Sequence, residues 1–161
     1  TGHRRFFYCP DCQKSYPRFI ELTGPTKAKK TPTGIVHFSA GALIEKGGKY
    51  LIQRRAVFPF LFATIGGHVD KGESWLRALK RETKEECGLD IEIGKPIFVG
   101  EWSPIVKNMQ LQIFGIFLKC VTTHTNVVLS QDHDDYQWIN HSDYDKYDLI
   151  PPNKEVLRGL L

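Results

Sequence analysis

No apolar run in this chain of 161 residues approaches the ~20 that a membrane-spanning helix needs, so the sequence offers no transmembrane segment. Cysteine is scarce as well. Its four positions, Cys9, Cys12, Cys87 and Cys120, are too few and too scattered for a disulfide scaffold. A strong excess of one charge is also missing. The net charge of +4 suits a small anionic partner but falls short of the basic surface that makes a nucleic-acid binder. Neither an internal repeat nor a low-complexity tract is visible, and no secretory signal stands at the front. A cytoplasmic location is the default expectation. Because the chain opens on Thr1 and not on Met, the missing targeting segment carries little weight.

What is present suits one core with a short extension. Hydrophobic residues make up 41% of the chain, and its length is enough to bury most of a single core. Residues 1–33 differ from the rest, since 23–33 are rich in Lys, Pro, Gly and Thr and read as a linker. The remainder, 34–161, reads as the main domain. Alternation and β-branched residues predict a strand from Ile35 to about Glu45, a turn over 46–49 and a strand over 50–54. Short strands are expected over 62–65 and 136–139, and longer ones over 91–102 and 110–121 around a loop at 103–108. Helices are expected over 74–87 and, after Pro151-Pro152, over 153–161. Mixed strands with helices on either side predict an α/β sandwich.

The predicted helix at 74–87 carries the chemistry. At about 100° per residue, Glu82, Glu85 and Glu86 share an arc of roughly 100°, with Glu82 and Glu86 one turn apart. Like charges at that spacing repel, and Arg81 is the one cation close enough within the helix to relieve them. Divalent cations on that face would resolve the conflict, because Mg²⁺ takes hard carboxylate oxygens and keeps several waters. The other faces sort cleanly. Leu76, Leu79, Thr83 and Cys87 form an apolar stripe, Arg77, Lys80 and Lys84 face solvent, and Gly88 is placed to end the helix. Gly66-Gly67, just upstream, permits a tight turn and close approach of backbone to an ion.

Gly67, Glu73, Arg81, Glu82, Glu85, Glu86, Gly88 and Leu89 resemble the Nudix box, G-x5-E-x7-R-E-U-x-E-E-x-G-U with U a bulky apolar residue. Thr83 at the first U position is the one departure in the 23 residues from Gly67 to Leu89. The resemblance implies an α/β/α sandwich with a mixed sheet that hydrolyses a nucleoside diphosphate linked to another moiety, such as ADP-ribose, a dinucleotide or an NTP. It further implies Glu82, Glu85 and Glu86 as ligands of Mg²⁺ or Mn²⁺, helped by the Gly67 carbonyl. Glu73 and Arg81 would brace the loop and orient the carboxylates. Bound metal would neutralise pyrophosphate oxygens and orient a water for in-line attack. Family members differ in which residue is the base, so that role stays open. Many Nudix domains resembling this one carry an acidic residue three positions before the tryptophan of a late strand. Asp135, three before Trp138, holds that position as a supplementary metal ligand or base, with an ordinary polar loop as the alternative.

At the other end, Cys9-Pro10-Asp11-Cys12 followed by Tyr16-Pro17-Arg18 resembles the second knuckle of the zinc ribbon in NADH-pyrophosphatase-type Nudix enzymes. The first knuckle is missing. Cys9 and Cys12 would need partners such as His3 to hold Zn²⁺, and a metal-free turn is the alternative.

Arg54, Phe62 and Trp102 are the candidates for substrate contacts, within a set of aromatics that includes Phe58, Phe60, Tyr136 and Trp138 and that could equally pack the core. Pro104, fifteen residues past the box, lies near where many ADP-ribose pyrophosphatases carry a proline. The partner expected is a nucleotide-type small molecule, with a homodimer among the states the sequence allows and no membrane. Two rival classes share the resemblance. An isopentenyl-diphosphate-isomerase-like enzyme fits Gly67-His68-Val69 and Gly72-Glu73-Ser74, but needs a cysteine in an Asn-x-Cys context that this chain does not have. A regulatory module that binds a nucleotide without cleaving it would typically have lost a box glutamate, and none is lost.

Overall fold

A computed structural model describes residues 6–9, 14–17, 35–57, 60–70, 72–106 and 109–159. Two short strands near the front, β1 (Phe6–Cys9) and β2 (Lys14–Pro17), pair antiparallel from Phe6↔Pro17 to Cys9↔Lys14. Cys12, His3 and the side chain of Cys9 lie outside the described residues, and so does the zinc expectation built on them.

The main body is a mixed sheet. Its strands are β3 (Ile35–Lys46), β4 (Lys49–Arg55), β5 (Phe62–Ala63), β6 (Ile65–His68), β7 (Glu92–Trp102), β8 (Ile105–Val106), β9 (Met109–Val121) and β10 (His133–Asn140). The central path runs β10-β4-β3-β9-β7, with β5 on β4, β6 on β3 and β8 on β9. The long pairing of β3 with β9 is parallel, from Ile35↔Leu111 to Glu45↔Val121, and the other pairings are antiparallel. The hairpin at 46–49 is built on Gly47 and Gly48, both with positive φ.

Period-two alternation along β3 splits the core in two. Ala40, Ala42 and Ile44 face one side, where they meet Leu79 and Cys87 of α1 (Trp75–Cys87) together with Leu51, Ile65 and Leu118. Leu43 faces the other side and packs with Ile52, Ile139, Leu149 and Leu157, the last from α2 (Asn153–Arg158). One helix on each side of a mixed sheet makes the expected α/β/α sandwich.

The helix α1 starts where Ser74, in extended conformation, accepts a hydrogen bond from the Arg77 N–H, and stops where Gly88 turns left-handed at φ 71°. Leu79, Thr83 and Cys87 are fully buried as the stripe predicts, and the Thr83 hydroxyl is satisfied by donating to the Leu79 carbonyl at 2.8 Å. Leu76 departs from expectation. It is 41% exposed, because it lies in the first turn, beyond the part of the helix that the sheet covers. The Gly66-Gly67 pair is not a turn either. It sits in extended β6, where Gly66 pairs with Gly41 and Gly67 with Ala40. Elements without a counterpart in the sequence reading include β1 and β2, β8, which forms a small hairpin with β9 out of the expected loop, and a 3-10 helix over His141–Lys146.

Candidate active site

The site is built where α1 crosses β6. Gly67 is glycine for a reason of space. A Cβ there would stand 2.5 Å from the Glu82 carboxyl carbon, so the bare backbone lets that carboxylate lie on the strand. Glu82, one turn from the sheet-facing Leu79, is buried at 8% exposure, which for a carboxylate demands partners.

Arg81 supplies one. Its Nη1 donates to Glu82 Oε1 at 2.7 Å and to Glu85 Oε2 at 3.3 Å. Its Nε and Nη2 grip both oxygens of Glu73 at 3.0 and 2.9 Å, and Nη2 also reaches the His68 carbonyl at 3.0 Å. Glu73 in turn accepts from the Asp70 N–H at 3.1 Å, closing the loop between β6 and α1. The forked guanidinium thus ties loop, strand and helix together in a way one ammonium could not. The hydrogen bonds it donates to Glu73 and Glu82 hold the Arg81 guanidinium above its already high range.

Glu86, the third glutamate, has no such cation. Its Oε2 accepts from the Gln53 amide at 2.7 Å and from the Gly66 N–H at 3.1 Å. Burial pushes its carboxyl up to about 8, and the charges of Glu82 and Asp132 push the same way. Glu85 is 60% exposed at its side chain. Among the described residues no group of three or more His, Cys, Asp or Glu side chains is gathered as a metal cluster. Glu82 and Glu85 turn towards Arg81, while Glu86 turns towards Gln53.

Asp135 does not join this group. It pairs with Arg54 across β10 and β4, and its carboxylate accepts from the Gln137 amide at 3.3 Å. The acidic residue of this segment whose charge acts on Glu86 is Asp132, six positions before Trp138 and held by its carbonyl to the Ala56 N–H at 2.9 Å. From Asp135 to Trp138 the register with β4 is regular, and it shifts only between His133 and Asp135. Gln53, fully buried on β4, was also missed. Its only sequence signal is an amide at an inward position of a strand.

The residues expected to contact substrate have these neighbours within the fold. Arg54 pairs with Asp134 at 2.8 Å, Phe62 stands edge-on to Tyr147 at 5.3 Å, and Trp102 packs on Phe117 at 6.3 Å. Phe38 is 62% exposed and stacked with Phe114 at 5.9 Å. With Trp75, Val69, Val99 and Glu101 it lines a groove of about 580 Å³ that reaches Glu73 of the site loop.

Comparison with known proteins gives the family. The family described as "NUDIX domain" matches residues 36–160. The nucleoside triphosphatase NudI of Escherichia coli O139:H28 is 30% identical over 135 residues, spanning 74% of this chain and 94% of that protein. The Klebsiella pneumoniae NudI is 29% identical over the same spans. Among solved structures, a MutT protein from Methanosarcina mazei Go1 superposes with a TM-score of 0.70 at 20% identity, covering 80% of this chain and 94% of that one. A C. elegans Ap4A hydrolase in a binary complex gives 0.62 at 24% identity, over 77% and 94%. At these identities the structural likenesses speak for the fold.

Proposed function

The chain belongs to the Nudix hydrolase family and is a pyrophosphohydrolase acting on nucleotides, and on that footing we propose that it cleaves a nucleoside triphosphate or a related nucleoside diphosphate derivative with the help of a divalent cation, Mg²⁺ or Mn²⁺. The observation that carries the reading is Glu86. Its carboxylate takes only neutral donors at Oε2, from Gln53 and the Gly66 N–H, while burial and the charges of Glu82 and Asp132 disfavour its ionised form, and a cation beside it would relieve that cost.

When bound, such a cation supplies charge neutralisation at the pyrophosphate and a more acidic water. The chain's own residues then divide the remaining work. Glu86, Glu82 and the more exposed Glu85 offer oxygens to the cation, with the Gly67 backbone close by. Arg81 and Glu73 keep the helix and the loop in register, so that the carboxylates need no reordering when substrate arrives. Asp132, outside the Arg81–Glu73 fork, and the exposed Glu85, held by one 3.3 Å contact from Arg81 Nη1, are the acids assigned here to accept the proton of an attacking water. The groove of Phe38, Phe114 and Trp75 offers flat apolar surface to a base.

Nucleoside triphosphates stand first among substrates because the relatives aligned over 94% of their length are named for that activity. The isomerase alternative needs a reactive thiol. Among the described residues, Cys87 and Cys120 are both buried, and burial pushes each up to about 11. A screen of NTPs, ADP-ribose, nucleotide sugars, dinucleotides and dinucleoside polyphosphates with Mg²⁺ tests the reading. Pyrophosphate release from at least one NTP is expected, and silence across the whole panel with both Mg²⁺ and Mn²⁺ would overturn it.

A further inference from the structure

We propose that Gln53 is a positioning residue that holds one oxygen of Glu86 so that the other faces the cation. The inference rests on the reading of Glu86 as a cation ligand given above. Gln53 lies on β4 between Tyr136 of β10 and Ala63 of β5, and is 1% exposed. A side chain so enclosed has few orientations open to it. Its Nε2 donates to Glu86 Oε2 at 2.7 Å, and the Gly66 N–H donates to the same oxygen at 3.1 Å. Two donors converge on Oε2, whereas among the described residues no donor reaches Oε1. The carboxylate is therefore fixed in rotation with one oxygen satisfied and the other free.

A second observation separates this from ordinary core satisfaction. Gln53 Oε1 is buried and, among the described residues, has no hydrogen-bond partner. An amide kept only for stability would have both ends satisfied, because an unpartnered buried carbonyl carries the full cost of its lost hydration. An apolar residue of similar length would avoid that cost. What such a residue could not do is donate to Glu86. The glutamine is explained by the donor end alone.

The test is Mn²⁺ binding to the full chain without nucleotide, followed by the paramagnetic resonance signal of free Mn²⁺, beside thermal unfolding of the metal-free protein. Gln53→Met keeps the length and removes the donor. We expect about a tenfold or greater loss of Mn²⁺ affinity, the scale seen when partners of metal ligands are removed, with an unfolding midpoint unchanged or higher. Gln53→Asn, whose amide stops one methylene short of Glu86, is expected to show the same loss and is read in its place if the methionine variant does not fold. Glu86→Gln serves as the reference. If it loses Mn²⁺ while the Gln53 variants bind as the parent does, the positioning role is wrong and the cation site stands. If Glu86→Gln itself binds Mn²⁺ unchanged, the reading of the site fails along with it.

Discussion

The two ends of the acidic face of α1 are finished to different degrees. At one end Glu73, Glu82 and Glu85 share the guanidinium of Arg81, with contacts between 2.7 and 3.3 Å and a backbone carbonyl completing the fork. At the other end Glu86 has only neutral donors, an amide and a backbone N–H, and like charges beyond them. Both ends place carboxylates on a strand–helix junction. The first is neutralised by the chain itself, so it can serve as scaffold. The second is left short of positive charge, which is what a site that takes its cation from solution requires. A protein that needed only a stable junction would have extended the first arrangement to the second.

The largest expected effect breaks the second end. Glu86→Gln should lower turnover a hundredfold or more, an order of magnitude set by losing a charge-stabilising group in a catalytic site. The same change should stabilise the metal-free protein, and pH separates the two consequences. In the folded parent the Glu86 carboxyl is pushed up to about 8, whereas an unfolded glutamate titrates near about 4.3. Its contribution to stability is therefore fully present below about pH 4 and is lost as pH rises through about 8. Thermal unfolding of the metal-free parent should fall over that window, and the variant should lack this part of the fall. Cation binding must displace the same proton, so affinity in the parent should climb with pH up to about 8. A variant with parental turnover and a parental pH profile would show that the two ends do not differ as argued.

Much of this contrast is legible in the sequence, and the limit has a physical cause. The spacing of Glu82, Glu85 and Glu86 on one helix face follows from 3.6-residue periodicity alone, as does the buried stripe of Leu79, Thr83 and Cys87. The partners that differentiate the ends come from other strands. Gln53 reaches Glu86 across 33 positions of sequence, and nothing in local pattern marks that glutamine apart from other polar residues of a strand. Gly66-Gly67 was misjudged for a related reason. Two adjacent glycines suggest a turn locally, yet here they let β6 pair closely with Gly41 and admit Glu82. Residue type does not separate Phe62 and Trp102 from Phe38 and Phe114, which differ in what the fold stacks on them.

A middle-sized effect sharpens the comparison at its loop side. Asp132 is the acid whose charge is felt at Glu86, whereas the Asp135 carboxylate accepts from the Gln137 amide. Asp132→Asn should lower the rate about tenfold and raise the magnesium concentration needed for half-maximal rate, in line with losing an outer partner of a metal site. Asp135→Asn should do little to either. The reverse ranking in a magnesium titration would return the role to Asp135 and remove Asp132 from the unfinished end.

The smallest expected effect concerns the side of α1 that takes no part in either end. Cys87 is fully buried among Leu79, Leu89 and Leu118, with its thiol against the Thr83 carbonyl at 3.1 Å. Burial pushes that thiol up to about 11, so it stays protonated and unreactive at neutral pH. Removing the sulfur leaves a small void and deletes a weak hydrogen bond, which together should cost on the order of 1 kcal/mol of stability. Cys87→Ala should accordingly unfold a few degrees lower and keep its turnover per folded molecule. Glu86 is the immediate sequence neighbour but points about 100° away around the helix, so a void at Cys87 should not reach the carboxylate. A well-folded Cys87→Ala protein that had lost activity would mean the core stripe and the acidic face are coupled. The separation of α1 into a packing side and a chemical side would then have to be abandoned.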